Sequence, residues 1–261
     1  MIDVTITGSG RWNLLKRTIK SFKEHVHCSE EFRFLVTDDA GYKKMNRGDK
    51  SPNKTREKIV SSGLFDKWFF SDVQDYGDCV KWLFSNLKSE FYFHLQDDWE
   101  FLIDVDLDSL IHLMRKKPTI NHIRFMKRTI RPRMKSEIWN NLGKLSKTNV
   151  EILGIKLVAA PYWAMHPSLS RTSFVQKIPL PSKKQDRTHK PGRWERYWLQ
   201  NVFKGIDRTN YKDYSKNAGT YIFGQIGDPP TILHIGGEQR ALKHRKRVTL
   251  DERTEDHKNI V

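Results

Sequence analysis

The sequence predicts a single α/β domain built on a largely parallel sheet with helices on its faces. Strand-like and helix-like segments alternate along the first half of the chain, which is typical of βαβ units. No linker and no internal repeat divides the chain. Its 261 residues, with 8 Trp, 8 Tyr and 14 Phe, suffice for one buried core.

The elements of the first half follow from hydrophobic periodicity. Short apolar runs predict strands at 2–7, 32–37, 68–70 and 91–95. Apolar residues at helical spacing predict three helices, marked by Trp12 to Phe22, Val80 to Leu87 and Leu107 to Met114, the last ending near Pro118. Residues 43–58 have no apolar stripe and are predicted to form a mobile loop.

The second half is less regular. It predicts strands at 122–126, 157–165, 221–223 and 231–235, a helix at 194–203, and basic polar stretches at 127–149 and 182–193. We therefore expect one domain with two functional halves and a basic tail, at 1–110, 111–240 and 241–261. The tail contains KHRKR at 243–247, and we expect it to be disordered.

The net charge of +16 is unevenly distributed. Residues 1–110 contain 16 Lys and Arg and 19 Asp and Glu, a net charge of −3, whereas residues 111–261 contain 31 and 12, a net charge of +19. This segregation predicts a polyanionic partner for the second half. The alternatives are a basic solvated face and attraction to an anionic membrane surface.

Composition also excludes several classes of protein. No apolar run approaches the ~20 residues of a membrane span, and the N-terminus has no basic region typical of a secretory signal. Two cysteines, Cys28 and Cys79, cannot form a disulfide framework. We therefore expect a soluble protein of a reducing compartment, the cytoplasm.

Acidic clusters follow two of the predicted strands: Asp38-Asp39 after the second and Asp97-Asp98-Trp99-Glu100 after the fourth. Ligands of open α/β sheets bind at the carboxyl ends of strands. Because crowded carboxylates repel, they need a cation or a surface position, and hard oxygen ligands suit Mg²⁺ or Mn²⁺. Asp38-Asp39 alone also fits a solvated turn.

Three segments in order carry a resemblance: a strand, Gly/Ser turn and helix (VTITGSGRWNLLKRTIKSF), a strand ending in an acidic pair (FRFLVTDDAG) and a strand ending in an acidic triplet (FYFHLQDDWEF). Their order resembles the GT-A fold glycosyltransferases, most of all family 2-type enzymes, over about residues 1–105. The resemblance implies a Rossmann-like mixed sheet. It also implies metal-dependent transfer of a sugar from a nucleotide diphosphate, with UDP expected, to a hydroxyl group.

The resemblance assigns the donor site to three places. Asp38 or Asp39 would contact the base, and Asp97 would contact ribose or a water bound to the metal. The metal, Mn²⁺ or Mg²⁺, would be bound by Asp98, although Gln96 departs from the acidic residue that is commoner at its position. Thr7, Gly8 and Arg11 on the first strand and turn would also bind the donor. The same glycine turn faintly echoes sugar nucleotidyltransferases, but it is too short for their loop.

Later residues extend the resemblance. His234, in a strand ending at glycines, would be a further metal ligand; its alternative role is a hydrogen-bonded core histidine. Glu195 would be the general base of an inverting reaction, with Asp186 as its competitor. The alternative for Glu195 is an acid in the first turn of a helix, stabilised by the helix dipole.

The acceptor is predicted from composition rather than from a motif. Basic residues track phosphates and aromatic faces stack on bases or sugars, and the basic half interleaves its charges with Trp139, Trp163, Trp194 and Trp198. We expect a hydroxymethylated base in DNA, 5-hydroxymethylcytosine, as in bacteriophage DNA modification, with the enzyme in the host cytoplasm if viral. A cell-surface glycan or lipid is the alternative acceptor. A metal-dependent nuclease or a nucleic-acid-binding protein is the alternative class.

Overall fold

A nine-stranded sheet organises the part of the chain that the computed structural model describes, which is residues 1–39, 52–72, 75–130, 148–159, 164–177 and 219–236. The described elements are, in chain order, β1 (Ile2–Gly8), α1 (Trp12–His25), β2 (Val26–His27), β3 (Phe32–Asp38), α2 (Pro52–Ser61), β4 (Lys67–Phe70), α3 (Tyr76–Ser85), β5 (Phe91–Gln96), β6 (Trp99–Phe101), β7 (Val105–Asp106), α4 (Leu107–Lys116), β8 (His122–Arg124), β9 (Thr148–Ile152), β10 (Ile155–Ala159), β11 (Ser168–Arg171), α5 (Thr172–Gln176), β12 (Thr220–Phe223) and β13 (Ile232–His234).

The strand order in the sheet is β4-β3-β1-β5-β11-β8-β12-β10-β9. Strands β4, β3, β1 and β5 are mutually parallel, as βαβ connections require, and β8 and β12 are also parallel to each other. Strands β11 and β10 run antiparallel to their neighbours. The predicted α/β class with a mixed, largely parallel sheet is confirmed, and the sheet includes strands from both predicted halves.

Two short strand pairs lie beside this sheet. β2 pairs with β7, and β13 pairs antiparallel with β6 in a register that sets His234 opposite Trp99. The second pairing joins residues 135 positions apart in the chain. It carries the end of β13 to the turn that follows β5, where the acidic residues lie.

Aromatic packing fixes α1 against the sheet. Phe22 is fully buried, and its ring makes edge contacts with Phe32 at 5.1 Å, Phe34 at 6.0 Å, Phe93 at 5.2 Å and Phe101 at 5.9 Å. Such pairs stabilise by about 0.5–1.5 kcal/mol beyond their area burial. The helix is thereby held with its N-terminus at the carboxyl ends of β1 and β5.

Several sequence-based boundaries were wrong. Part of the loop predicted at 43–58 is helix α2, whose short buried stripe of Thr55 and Ile59 is too narrow to be seen as periodicity. The strand predicted at 157–165 ends at Ala159, and the buried Ala164 lies outside any strand. Helix α3 ends at Ser85, before Leu87. The helix predicted at 194–203 and the predicted tail lie outside the described residues.

A row of buried polar residues crosses the sheet on the face opposite the α1 core. Thr5, His94, Ser168 and Arg124 are neighbours in register on β1, β5, β11 and β8. The Nδ1 atom of His94 lies 2.9 Å from the Thr5 hydroxyl. Burial lowers the pKa of His94 to about 3, so its imidazole is neutral at pH 7.

This burial predicts a stability that falls in mild acid. The unfolded chain takes up a proton at His94 below its ordinary pKa of 6.5, whereas the folded chain does not until about pH 3, so the free energy of unfolding decreases as pH falls from 6.5 toward 3. The loss between pH 7.5 and 5.5 should be about 1 kcal/mol smaller in His94→Asn. Denaturant titration at the two pH values measures it.

The matched control is His112→Gln on the exposed face of α4. It should leave the difference between the two pH values unchanged. A His94→Asn variant that folds and yet loses as much stability in acid as the wild type would contradict the assignment of a neutral, buried imidazole.

Candidate active site

The predicted donor residues meet at one edge of the sheet. The backbone N–H of Asp39 donates to the carbonyl of Gly8 at 3.1 Å, and that of Asp97 donates to the carbonyl of Thr7 at 3.0 Å. Parallel strands end on the same side, so the residues after β1, β3 and β5 become neighbours. The structure therefore brings together Thr7, Gly8, Asp39 and Asp97, and their roles stay predictions.

The acids after β3 are largely buried: Asp38 is 1% and Asp39 9% exposed. The carbonyl of Asp38 accepts the N–H of Ser71, which ties the end of β3 to the end of β4. Cys79 of α3 lies close enough that the charge of Asp39 adds to burial in raising the pKa of the thiol. These acids therefore do not form a solvated turn; they are buried where the end of β3 lies beside α3.

Asp97 is held by Arg11 and by the glycine turn. The Nε and Nη2 atoms of Arg11 donate to the two carboxylate oxygens, the Nε contact being 3.0 Å, and the N–H of Ser9 donates to Oδ2 at 3.1 Å. Burial raises the pKa of Asp97 although Arg11 opposes it, and the charge of Asp98 adds to the rise. The pKa of the Arg11 guanidinium is raised despite its burial, because both carboxylates lie beside it.

Asp98 faces both Arg11 and His234. Its Oδ2 lies 2.9 Å from Nη1 of Arg11 and 3.1 Å from Nε2 of His234. Burial alone would raise the pKa of Asp98, but the hydrogen bond from His234 and the charge of Arg11 outweigh it, so the pKa lies below its usual value. The backbone agrees with this arrangement, since the N–H of Ile235 donates to the Asp98 carbonyl at 3.0 Å.

Gly236 makes this approach sterically possible. A Cβ atom at this position would lie 2.1 Å from Oδ2 and 2.8 Å from Cβ of Asp98. No side chain fits there without displacing the carboxylate. Gly236, which directly follows the predicted strand at 231–235, thus has a specific function, which is to let β13 end against the acidic turn.

The buried Trp99 packs against His234. Its indole is 1% exposed, with the His234 ring 4.6 Å away, the His166 ring 5.6 Å away and Nζ of Lys127 5.3 Å from its centre. Burial, together with the charges of Arg124 and Lys127, lowers the pKa of His166 to about 3. Neither His166 nor Lys127 was predicted to lie near the site. The one signal in the sequence is that Lys127 comes just after β8, close to the end of a strand.

Glu100 does not join the other acids. It lies on β6 between the buried Trp99 and Phe101, and strand alternation turns it to the opposite side. Its carboxylate pairs at 2.8 Å with Nε of Arg17 on the surface of α1. The acidic triplet in the sequence is therefore a pair in the site.

The predicted general base is not located by the structure. Glu195 and its competitor Asp186 lie outside the described residues, as do the four tryptophans that the sequence placed with the acceptor. Of the second half, His234 is the predicted site residue that the described ranges contain.

The spacing of Asp98 and His234 fits a divalent cation that has two protein ligands and completes its shell with substrate and water. Two ligands of one octahedral ion with bonds of about 2.1 Å lie about 3 Å apart, and the separation of Asp98 Oδ2 and His234 Nε2 is 3.1 Å. Within the described ranges, no group of three or more His, Cys, Asp or Glu side chains is arranged to enclose a metal. Mg²⁺ and similar ions commonly take one or two protein ligands and complete their shell with phosphates and water.

Solved structures share this architecture. GalNAc-T7, crystallised with UDP, GalNAc and Mn²⁺, matches with a TM-score of 0.52 and 12% identity over 85% of this chain and 42% of that one. TarS 1–349 of S. aureus matches at 0.50 and 10% over 93% and 63%, and its UDP complex at 0.50 and 11% over 89% and 60%. The chain therefore has the GT-A fold, as predicted.

This chain spans less than two thirds of the length of each of these three structures. No protein-family model matches it, and no curated protein matches it. Of the helices in the described ranges, none has the length and hydropathy that a transmembrane span requires.

Gly236→Ala tests the close approach of β13 to the acidic turn. The added methyl group must displace the Asp98 carboxylate from His234 and Arg11, so we expect a loss of about 1–3 kcal/mol in the free energy of unfolding. Denaturant titration measures this loss. Gly8→Ala is the comparison, because its Cβ would meet a carbonyl oxygen at 3.0 Å, and it should cost less. A neutral Gly236→Ala would contradict the described contact.

Proposed function

We propose that this chain is a metal-dependent glycosyltransferase that moves a sugar from a nucleotide diphosphate, UDP, to a hydroxyl acceptor. The observation that carries the proposal is the pairing of Asp98 with His234 at 3.1 Å, at the edge where β1, β3 and β5 end. A carboxylate and an imidazole at that separation can share one Mn²⁺ or Mg²⁺ ion. Neighbours of the same fold with UDP, and with UDP and Mn²⁺, support the choice of donor and metal.

The donor would lie along the edge from β3 to β6. Asp38 and Asp39 would contact the base, and the backbone of Thr7 and Gly8 would line its path. Asp97 is held rigidly by Arg11 and Ser9, which suits a contact to ribose rather than to the metal. Asp98 and His234 would then hold the ion that meets the diphosphate.

The reaction needs one proton acceptor on the far side of the sugar. When bound, the divalent ion stabilises the negative charge that develops on the leaving diphosphate. In the inverting reaction that we propose, the carboxylate of Glu195 takes the proton of the attacking hydroxyl. Its oxygen forms the new bond to the anomeric carbon as the bond to the diphosphate breaks. Asp186 is the alternative base.

The proposed acceptor is a hydroxymethylated base in DNA, with a cell-surface glycan or lipid as the alternative. The charge of +19 over residues 111–261 supports a polyanion, and the halves at 1–110 and 111–240 would serve donor and acceptor. A duplex acceptor requires the base to be flipped out of the stack. It also implies an enzyme of the cytoplasm, in an infected host if the chain is viral.

A nuclease is the weaker candidate. Two-metal nucleases bind both ions with clustered acids. In the described part of the chain, Asp97 is engaged by Arg11 and Ser9, Glu100 faces away, and no larger acidic group is arranged around a metal. These acids fit a site for one cation, completed by the substrate, better than a site for two cations held by clustered acids.

Asp98→Asn tests the metal assignment. The amide is a weaker ligand, so binding of UDP in the presence of Mn²⁺ should weaken at least about tenfold, and transfer should be lost. Isothermal titration with UDP, with and without Mn²⁺, measures the first. Transfer at the wild-type rate would contradict the assignment.

Glu195→Gln is the contrasting variant. It should retain Mn²⁺-dependent UDP binding and lose about 10²–10⁴ in transfer rate, because a general base contributes that factor. An active Gln variant would shift the base to Asp186. Loss of UDP binding in this variant would contradict a role on the acceptor side.

The acceptor is tested by a panel of UDP-sugars with 5-hydroxymethylcytosine DNA, unmodified DNA and a glycan acceptor. We expect a mass increase of one sugar on the modified nucleoside alone, and DNA binding that weakens steeply with salt. Nucleoside mass spectrometry and filter binding measure these. Binding that does not respond to salt, or transfer to the glycan alone, would contradict a DNA acceptor.

A further inference from the structure

The guanidinium of Arg11 makes two contacts with Asp97 and one with Asp98. Two of its nitrogens, Nε and Nη2, engage both oxygens of Asp97, whereas only Nη1 contacts Asp98, at 2.9 Å. The bidentate contact is the geometry in which Arg holds a carboxylate most firmly. The single contact to Asp98 is therefore the one that can be lost without releasing the side chain.

The Asp98 oxygen that Arg11 contacts is the same Oδ2 that faces His234. A divalent cation bound by Asp98 and His234 would have the guanidinium charge as its immediate neighbour. The double charge of the ion and the single charge of the guanidinium, a few ångströms apart, repel each other even in bulk water. Arg11 and the cation thus compete for one oxygen.

Arg11 can give up that contact without moving the fold. Its carbonyl accepts the N–H groups of Leu14 and Leu15 at 3.1 and 3.0 Å, so its backbone is fixed at the start of α1. Its side chain is 16% exposed and extends across the edge of the site. Because the Nε and Nη2 contacts with Asp97 fix the plane of the guanidinium, a small rotation of the Asp98 carboxylate about its own side-chain bonds is what separates Oδ2 from Nη1.

We propose that Arg11 is an internal counter-ion that neutralises the acid pair in the metal-free chain and yields Asp98 to the divalent cation while it keeps Asp97. This inference rests on the proposed function and adds a positioning residue to it. In the step, the Nη1–Oδ2 hydrogen bond breaks and Oδ2 would bind the ion. The proton that Nε2 of His234 donates to Oδ2 would move to Nδ1 of the neutral ring, so that Nε2 could bind the same ion. Arg11 then holds Asp97 in place and sets the affinity of the site for the metal.

This role makes a prediction opposite to that of a merely structural arginine. Removing a structural arginine would weaken metal binding, because the site would lose its shape. Removing a competitor should strengthen it. Arg11→Gln should therefore bind Mn²⁺ more tightly, on the order of tenfold, and should unfold at a lower temperature without metal, because two buried acids lose their shared cation.

The experiment measures Mn²⁺ affinity by isothermal titration and by electron paramagnetic resonance of the bound ion, with and without saturating UDP. The matched control is Arg17→Gln, which removes one charge from the same helix and leaves Glu100 unpaired on the surface. It should bind Mn²⁺ as the wild type does. Thermal unfolding of each variant should show a larger stabilisation by Mn²⁺ in Arg11→Gln than in the wild type.

Arg11→Lys is the second test variant, to be used if Arg11→Gln does not fold without metal. Lysine retains the charge but not the fork, so it cannot hold Asp97 with two bonds and reach Asp98 at once. Its Mn²⁺ affinity should exceed that of the wild type by less than that of the Gln variant. An affinity equal to or below the wild type in a folded Arg11 variant overturns the inference.

The two levels of the proposal fail differently. If the wild type binds Mn²⁺ in the presence of UDP and Arg11→Gln gains nothing, the counter-ion role is wrong and the proposed function stands. If neither the wild type nor Arg11→Gln binds Mn²⁺, with or without UDP, the proposal of metal-dependent transfer is wrong, and the counter-ion role is wrong with it.

Discussion

The repulsion between two adjacent buried carboxylates is the constraint around which this edge of the molecule is organised. Asp97 and Asp98 are 2% and 6% exposed, and water cannot screen them fully. Leaving one such charge unpaired costs about 3–5 kcal/mol. Arg11 pairs with both, and His234 donates a hydrogen bond to one.

Each compensating group arrives from a distant part of the chain. The turn after β1 brings Arg11 and the Ser9 N–H, and β13 pairs with β6 to bring His234. Gly236 then lets the chain pass the Asp98 carboxylate without a clash. The acids can occupy a buried turn only because the sheet and the β6–β13 pair hold these groups within hydrogen-bonding distance. The same arrangement would let Asp98 and His234 bind one ion together, as we propose.

Local pattern was enough to predict much of the fold. The apolar runs that became β1, β3 and β5 are buried on both faces. The acids at the ends of β3 and β5 lie at one edge of the sheet because these strands are parallel to β1. The strands β2 and β7, of two residues each, are too short to leave a pattern. Strand β11 contains Ser168 and Ser170, and no local rule reveals their buried partners on β8, which are Arg124 and His122.

Long-range pairing explains what sequence missed in the site. The resemblance assigned Asp98 and His234 to one metal, but their contact depends on the register of β13 on β6, which no local pattern predicts. Arg11 was expected to bind the donor, and its contacts with both acids depend on the turn after β1 lying beside the turn after β5. Glu100 was grouped with the acids by spacing, and strand alternation separates it. His166 and Lys127 join through Trp99, a contact that has no sequence signature.

The most direct test of this account is where a manganese ion binds in a crystal of this protein grown with Mn²⁺ and UDP. Anomalous scattering at the manganese edge locates the ion independently of any model of the ligand. The account predicts a peak about 2.0–2.3 Å from both Asp98 Oδ2 and His234 Nε2, with Arg11 on Asp97 alone. A crystal with UDP bound and no anomalous peak at Asp98, or with the ion bound elsewhere, would contradict it.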